Sequence, residues 1–369
     1  MPLIIISIGI VLVVLLQNYC YKRLWDKSLS YDVEFSATDM FEGDKLHLTE
    51  RLVNRKFLPL PWVFIKIPVS PHFVFPEETG ATPGIFNSLF SIMMYRAIRR
   101  KTLMVCHKRG VYSLRSGSIT AGNIMHTQQF TKEMHFNREL LVFPKPLYNF
   151  MDMSAIFKQL DSAILTNRLI NPDPFEFKGI RDYQPTDALK SVNFKASAVA
   201  QKLMVNIRAP MADVRMNLVL NLTDCGREAP TEVYEQAIRL CAALAEHYTE
   251  KKAAISFITN GRDSQAGTNI QLASGTGGRH LYKIFECLAR ISTSYVREPM
   301  TGFVEELTDR EQVYVFVSPY HGREFMEAFE ALESRGVSAF MIVPVMSGMD
   351  VGVAESDRVA VVNVNWREL

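Results

Sequence analysis

The sequence predicts an α+β multidomain protein with an N-terminal transmembrane helix, an antiparallel β-sandwich and a doubly wound α/β domain. Three observations predict this order: an uncharged apolar run, then short alternating segments between turns, then long apolar runs separated by amphipathic segments. The 369 residues are 48% hydrophobic and 22% charged, which excludes a disordered chain and suffices for two or three buried cores. We expect the transmembrane anchor at residues 1–21, the sandwich at 28–150, a linking segment at 151–210 and the α/β domain at 211–369.

Charge and cysteine content argue against a nucleic-acid binder, a disulfide framework and a zinc site. The formal net charge is only +2, whereas a dedicated nucleic-acid binder normally has a strong basic excess. The 5 cysteines are far apart in the chain and form no C-x-x-C pair, which argues against a disulfide framework and a zinc site. Reduced thiols in a cytosolic body fit this pattern better.

The N-terminal run is the basis of the membrane prediction. Residues 2–16 contain no charge, but a helix of that length reaches only about 22 Å, short of the roughly 30 Å hydrocarbon layer. Continuation to residue 21 supplies the missing length, and Lys22, Arg23, Trp25 and Lys27 follow it. Because the basic residues follow the span, we expect a single-pass cell-membrane protein with its N-terminus outside and its C-terminal body cytoplasmic. The lipid bilayer is then a partner of residues 1–21.

The middle of the chain alternates between apolar and polar residues in short segments, as at 31–35, 46–49 and 63–67. Turn signals separate these segments, a pattern typical of an immunoglobulin-like sandwich. Residues 86–101 combine Met and Phe with four cations and leave two interpretations. We favour a hairpin with a basic edge over a segment that contacts lipid headgroups.

The C-terminal part has the pattern of a parallel sheet covered by helices. Apolar runs at 217–220, 253–258, 313–317 and 339–343 fit strands buried on both faces. Thr231 can cap a helix, and Gly336 can end another. Ligands of such sheets bind beyond the carboxyl ends of the strands, which directs attention to residues 221–225 and 318–320.

Residues 175–210 contain a motif that resembles the signature of the bacterial domain-of-unknown-function family number 58. The positions that align with it and that we take as candidate interaction residues are Gly179, Arg181, Tyr183, Asp187, Lys190, Phe194 and Ser197, of which Lys190 and Phe194 differ in residue type from the signature. Residues 108–112 and 142–144 resemble two further motifs of that family, in the same order. The departures from the signature are Asp182, Thr186, Lys190 and Phe194.

The resemblance implies a membrane segment, a β-sandwich and a von Willebrand factor type A-like domain. Family members are encoded beside MoxR-type AAA+ ATPases and are regarded as their partners, not as enzymes. It therefore implies a membrane-anchored, non-enzymatic scaffold without a cofactor, an adaptor for a MoxR-like AAA+ ATPase that acts on envelope-associated clients. Homo-oligomerisation stays open.

Type A domains often bind Mg²⁺ at an adhesion site, and here the resemblance points to substituted positions. Asn221, Thr223 and Cys225 stand where the family reads Asp-x-Ser-x-Ser, Thr276 is a candidate for the second loop, and Pro319 follows the later strand. Mg²⁺ prefers anionic oxygen ligands in octahedral geometry, so we expect a degenerate, metal-free site. A Mg²⁺-dependent ligand-binding domain with a divergent site is the alternative.

Two enzymatic hypotheses and one question about charge remain. Cys225 could be the nucleophile of a hydrolase with His280 or His321 as base, although nothing in the sequence brings them together. The glycine-rich residues 274–279 could bind phosphate, but a plain loop entering a helix is favoured.

Arg181, Asp187 and Lys190 either form an ion-paired network that locks the two domains or present a docking face. We favour the structural role, and both can hold.

Overall fold

We describe the fold from a computed structural model. The described residues are 2–76, 82–125, 128–147, 153–170, 172–185, 187, 189–210, 215–224, 231–293, 299–346, 356 and 358–364. The chain divides into two compact units, Met1–Lys145 and Pro146–Leu369, and each is described by itself.

The described residues of the first unit form one helix and nine strands. These are α1 (Pro2–Leu24), β1 (Leu29–Phe35), β2 (Asp39–Phe41), β3 (Lys45–Asn54), β4 (Leu60–Pro68), β5 (Phe73–Val74), β6 (Ile85–Ile92), β7 (Arg96–Cys106), β8 (Gly110–Gly122) and β9 (Gln129–Phe143). One sheet has the order β1-β3-β7-β5 and the other the order β2-β9-β8-β4-β6. All neighbouring strands pair antiparallel except β2 and β9, which pair parallel.

The two sheets of this unit bury one common core and so form a β-sandwich. Strand β3 alternates strictly between exposed or half-buried and buried residues, which gives it one core face. Leu48 and Leu52 of the first sheet belong to the same buried cluster as Ile65 and Phe86 of the second. The period-two pattern of the sequence thus produces the two facing apolar surfaces.

The predicted transmembrane anchor is wrong. Among the helices of the described residues, none is both long and apolar enough to cross a bilayer. The single-pass cell-membrane placement, with the N-terminus outside and a cytoplasmic body, depended on that span and is withdrawn with it.

The physical reason lies in the contacts of residues 17–21, which were predicted to complete the span, and of Trp25 just after them. Asn18 accepts a hydrogen bond from Asn123 Nδ2 at 2.7 Å, and the Tyr21 hydroxyl donates to the Pro59 carbonyl at 2.6 Å. Tyr21 is 1% exposed and Trp25 stacks on Phe130 with ring centroids 6.0 Å apart. The last turns of α1 therefore pack on the sandwich and cannot lengthen the apolar run of residues 2–16.

Residues 86–101 form the hairpin that the sequence favoured. They span strand β6, a turn and the first part of β7, and Tyr95 in the turn has a φ of 53°. The guanidinium of Arg100 lies 4.2 Å from the ring centroid of Phe90 and donates to the Leu89 carbonyl at 2.8 Å. One of the four cations is thus held against the hairpin itself.

The second unit contains six helices, one short 3₁₀ helix and nine strands in its described part. The strands are β10 (Pro172–Asp182), β11 (Met204–Pro210), β12 (Arg215–Leu220), β13 (Ala254–Asp263), β14 (Asn269–Gly275), β15 (Ile291–Ser292), β16 (Val313–Val317), β17 (Ser338–Met346) and β18 (Val359–Val364). The helices are α2 (Met153–Ile170), α3 (Phe194–Ala200), α4 (Thr231–Glu250), α5 (Gly278–Arg290), α6 (Thr301–Glu306) and α7 (Arg323–Ser334), with the 3₁₀ helix at Leu189–Ser191.

The main sheet of this unit has the order β14-β13-β12-β16-β17-β18, with β15 paired to β13. Strands β12, β13, β16, β17 and β18 run parallel, and β14 is antiparallel. Every residue of β16 is buried, as expected for a strand covered on both faces. Helix α4 buries twelve of its residues, and α7 is followed by Gly336 with a φ of 74°.

Strands β10 and β11, which precede the main sheet in the chain, form a separate two-stranded antiparallel sheet. The 3₁₀ helix and α3 lie in the connection between its strands, and neither contains a buried residue. The family-signature positions therefore lie outside the main sheet, on β10 and on the connection between β10 and β11.

Candidate functional site

The carboxyl ends of three neighbouring strands bring polar residues together. Asn221 follows β12 directly, and Ser318 follows β16 directly. Pairing between β12 and β13 ends at Leu220 and Thr259, so Asn260 of β13 is the next residue along. Asn260 thus lies at the sheet edge where the sequence predicted a binding region, although sequence reasoning did not select this residue.

Asn221 is the centre of a hydrogen-bonded network. Its Oδ1 accepts from the Thr223 amide at 3.0 Å, the Thr223 hydroxyl at 2.6 Å and Asn260 Nδ2 at 3.2 Å. Its Nδ2 donates to Ser318 Oγ at 3.0 Å, and that hydroxyl donates to the Tyr320 carbonyl at 2.5 Å. The network joins the ends of β12, β13 and β16 through neutral groups alone.

Three members of the network are buried, Asn260 is half-buried, and the acceptor at the centre of the network is fully occupied. Asn221 and Ser318 are 0% exposed and Thr223 is 6% exposed. Asn260 Nδ2 also donates to Thr223 Oγ1 at 3.1 Å, and Asn260 Oδ1 accepts from the Leu222 amide at 2.8 Å. An amide oxygen has two lone pairs, so the three donors at Asn221 Oδ1 leave no acceptor capacity there.

This donor set does not fit Mg²⁺, the ion that the resemblance implies. Mg²⁺ requires near-octahedral oxygen ligands and is usually held by carboxylates, and neither Asn221 nor Thr223 supplies one. Asp224, the next residue, is exposed. The described part of the chain also contains no group of three or more His, Cys, Asp or Glu side chains that could hold a metal ion.

The other predicted positions of the adhesion site do not gather at this edge. Thr276 follows β14, whose last residue Gly275 pairs with Ile255 near the start of β13. Thr276 therefore lies toward the opposite, amino edge of the sheet, because β14 runs antiparallel. Pro319 is buried at the carboxyl edge, and Cys225 lies outside the described residues.

The candidate bases for Cys225 are at different edges as well. His280 Nε2 forms a hydrogen bond of 2.6 Å with the Ile255 carbonyl, toward the amino edge. His321 Nδ1 forms one of 3.0 Å with the Pro319 carbonyl, at the carboxyl edge. Residues 274–279 lead from β14 into α5, so the glycine-rich segment is a loop entering a helix.

In the signature segment, Arg181 and Asp187 form a bidentate ion pair. Arg181 Nη1 and Nη2 each donate to a carboxylate oxygen of Asp187 at 2.6 Å. The hydrogen bonds from Arg181, together with one from the Gln184 amide, lower the pKa of Asp187 below its ordinary value of 3.8. Both residues belong to one segment of the second unit, so the pair fixes the local turn after β10, while Lys190 is exposed.

Helix α3 is held in place by polar bonds. Asn193 is its N-cap, with Oδ1 accepting from the Ala196 amide at 2.9 Å, and Asn193 Nδ2 donates to Asn206 Oδ1 at 2.8 Å. Ser197 Oγ donates to the Asn193 carbonyl at 2.7 Å and accepts from the Met204 amide at 2.8 Å. Ser197 therefore joins α3 to β11, and an asparagine just before a helix is the sequence signal that could have identified Asn193.

The remaining signature residues differ in exposure. Gly179 and Tyr183 are half-buried, and the Tyr183 amide donates to the Leu203 carbonyl at 2.9 Å. Phe194 is 77% exposed, although it is the first residue of α3. Three further large apolar residues that sequence reasoning did not select are at least half exposed in the same segment, namely Leu189, Val199 and Leu203.

Comparisons with known proteins give matches of low identity and low TM-score to solved structures, which carry no argument about this chain. No protein-family model and no curated protein matches the chain. Similar solved structures include the CARDB domain of a Pyrococcus furiosus protein in complex with di-metal ions, at 9% identity and a TM-score of 0.22, over 31% of this chain and 94% of that one. The second type II cohesin module of the ScaA scaffoldin of Acetivibrio cellulolyticus has 10% identity and a TM-score of 0.22, over 32% and 95%. At these scores neither likeness carries a functional argument.

Proposed function

We propose that this chain is a non-enzymatic protein-binding scaffold and that its partner is a MoxR-like AAA+ ATPase. The observation that carries the proposal is the closed network at the carboxyl edge of the main sheet. In doubly wound sheets this edge is the usual place for a ligand or a catalytic group. Here Asn221, Thr223 and Ser318 are buried and neutral, and they bond to one another instead of facing a substrate.

Two further features support the scaffold interpretation. Apart from β15, which pairs with β13 off this path, the main sheet has the order β14-β13-β12-β16-β17-β18, and in doubly wound sheets of this order the carboxyl edge is where ligands bind. The Arg181–Asp187 pair and the Asn193 cap give the signature segment a defined shape despite its exposure. A defined, exposed segment is suited to recognition by another protein.

The choice of partner comes from the resemblance of residues 175–210, 108–112 and 142–144 to the family described above. Members of that family are encoded beside MoxR-type ATPases, so an ATPase of this class from the same genome is the partner to test. The alternative of a Mg²⁺-dependent domain has less support, because the donors at Asn221 are already engaged.

The experiment is a binding titration with two purified proteins. The full chain is immobilised and titrated with the MoxR-like ATPase in the nucleotide-free, ADP-bound and ATP-bound states. The proposal predicts saturable binding in the micromolar range or tighter in at least one of these states. An absence of binding in all three states contradicts it, as does turnover of ester or phosphoester substrates by the chain alone.

A further inference from the structure

One end of the β-sandwich of the first unit exposes large apolar side chains on three loops. These loops connect β3 to β4, β6 to β7 and β8 to β9. The side chains and their exposed fractions are Phe57 (71%), Met93 (61%), Tyr95 (67%), Ile124 (55%) and Met125 (52%). We call these five residues the apolar end. A cluster of exposed apolar residues on a folded unit is typical of a binding surface.

The pairing of the strands places all three loops at the same end of the sandwich. Leu60 at the start of β4 pairs with Ile92 at the end of β6. Val63 of β4 pairs with Ala121, the last residue but one of β8. The loop before β4, the loop after β6 and the loop after β8 are therefore neighbours.

Hydrogen bonds join the first two of these loops directly. Asn54 is 1% exposed at the end of β3, and its Nδ2 donates to the Leu58 carbonyl at 2.9 Å and to the Met93 carbonyl at 3.1 Å. The Tyr95 amide donates to the Lys56 carbonyl at 3.3 Å. The two loops thus form one continuous surface.

Helix α1 is attached to the first and third loops. Asn123 Nδ2 donates to Asn18 Oδ1 at 2.7 Å, and the Tyr21 hydroxyl donates to the Pro59 carbonyl at 2.6 Å. Residues 10–13, which precede these contacts in the helix, are all apolar and each 58–62% exposed. Because successive helical residues point about 100° apart, these four side chains are exposed in every direction around the helix.

The same end of the sandwich is basic. Its exposed cations are Lys22, Arg23, Arg55 and Arg96. Residues 51–76 and 79–132, which include all three loops, contain no Asp or Glu. The acid that follows α1, Asp26, is paired with Lys132 at 3.0 Å. The apolar end is therefore surrounded by net positive charge.

We propose that the apolar end docks the first unit on the surface of an anionic lipid bilayer. Its aromatic, Met and Ile side chains enter the interfacial layer, and the surrounding cations approach the phosphates of the headgroups. The contact is with one face of the bilayer, so it requires no membrane-spanning helix. The turn of the hairpin at residues 86–101 then contacts headgroups, while its strands remain in the sandwich.

Charge and shape favour lipid over two other partners for a basic, apolar surface. A second copy of this chain is disfavoured because cations would face cations across the contact. An acidic protein is disfavoured because a protein groove covers one stripe of a helix, whereas residues 10–13 are exposed all around α1. A lipid contact of the first unit goes beyond the proposed ATPase binding and does not depend on it.

The direct test is co-sedimentation of the full chain with lipid vesicles. One set of vesicles contains phosphatidylcholine alone, and the other contains phosphatidylcholine and phosphatidylserine. Phe57→Glu places a charge within the apolar end, and Arg55→Gln combined with Arg96→Gln removes two of its cations. The matched control is Val74→Glu, at a residue that is 44% exposed near the opposite end of the sandwich, where it pairs with Val105.

Wild type and Val74→Glu should bind the phosphatidylserine vesicles alike, and more weakly as the salt concentration rises. Phe57→Glu should bind them at least about tenfold more weakly, because an inserted apolar side chain is replaced by a carboxylate that faces the anionic surface. The double Arg variant should also lose about tenfold or more, since each basic residue near such a surface contributes roughly fivefold.

Two further readouts accompany the binding measurement. Hydrogen exchange at residues 55–59 and 93–95 of wild type should slow when phosphatidylserine vesicles are added. All variants should keep the circular dichroism and the melting midpoint of wild type, because the substituted residues are exposed.

Several results would overturn the inference. Equal binding of wild type and Phe57→Glu to the phosphatidylserine vesicles contradicts it, because α1 alone would then account for the contact. No binding, or equal binding to both kinds of vesicle, contradicts it as well. Phe57-dependent binding of a glutamate-rich peptide without vesicle binding assigns the apolar end to an acidic protein. A dimer in sedimentation that Phe57→Glu dissociates assigns it to a second copy.

Discussion

Replacement of Asn221 by leucine tests how much the network at the sheet edge contributes to the second unit. The substitution keeps the approximate size of the side chain but removes the acceptor shared by Thr223 and Asn260 and the donor to Ser318. Ser318 keeps its bond to the Tyr320 carbonyl, and Asn260 keeps Thr223 Oγ1 as a partner. The Thr223 amide and hydroxyl proton lose their acceptor at a residue that is 6% exposed.

The magnitude follows from these two lost hydrogen bonds. Each loss costs about 2 kcal/mol at a buried donor, the middle of the usual range, and the apolar leucine recovers roughly 1.5 kcal/mol by burial. We therefore expect the free energy of unfolding of the second unit to fall by about 2.5 kcal/mol. For a unit of this size, that corresponds to a drop of about 5–10 °C in the melting midpoint.

Hydrogen exchange is the appropriate assay, because the two units can unfold separately. Exchange of peptides from β12 and β16 is followed by mass spectrometry at increasing urea concentrations. The matched control is Asn269→Leu, the same change at an exposed residue of β14, with an expected effect within about 0.5 kcal/mol. A loss of less than about 1 kcal/mol for Asn221→Leu would refute the reasoning from the closed network.

Three further predictions concern charge and packing. The folded state lowers the pKa of Asp187, so the stabilisation from Arg181 is present above the ordinary pKa of 3.8 and is lost as the pH falls through the folded pKa. Hydrogen exchange at the Gln184 amide, which donates to Asp187, should therefore speed up as the pH falls through that range. Asp187→Asn should abolish this pH dependence. Burial lowers the pKa of His247 below its ordinary 6.5 in the folded state. The free energy of unfolding of the second unit should therefore fall as the pH drops below 6.5 toward that lower pKa. Urea titrations at several pH values should show this decrease for wild type and a flatter dependence for His247→Gln. A Cβ on Gly122 would overlap the Trp62 ring, so Gly122→Ala should lower the free energy of unfolding of the first unit by about 1–3 kcal/mol, and an unchanged urea midpoint would contradict this packing.

Local signals in the sequence predicted several elements at their true positions. Helix α4 begins at Thr231, one residue earlier than a cap at Thr231 would place it, and α7 ends at Ser334, two residues before Gly336. These features depend on the residue itself and its neighbours within one helical turn, so the sequence contains the necessary information. The same holds for the buried strand β16, whose apolar run covers its whole length.

The errors and omissions depend on contacts between distant residues. Tyr21 and Trp25 have the composition of a membrane interface, but they pack on the sandwich through Pro59 and Phe130. An amphipathic aromatic side chain is suited to both environments, so only the tertiary contacts distinguish them.

The candidate site was predicted only in part for the same reason. Asn221, Thr223 and the residues after β16 follow buried strands, which identified the edge. Asn260 joins them through the parallel register of β12 and β13, and the antiparallel direction of β14 moves Thr276 away. Register and strand direction are long-range properties that the residue pattern alone does not specify.

The most direct test of the account is calorimetric titration of the full chain with Mg²⁺, repeated with Mn²⁺ by electron paramagnetic resonance. The account predicts no saturable binding at the carboxyl edge of the main sheet, and the same result for wild type and Thr223→Ala. Saturable binding of either ion to wild type that Thr223→Ala abolishes would contradict it.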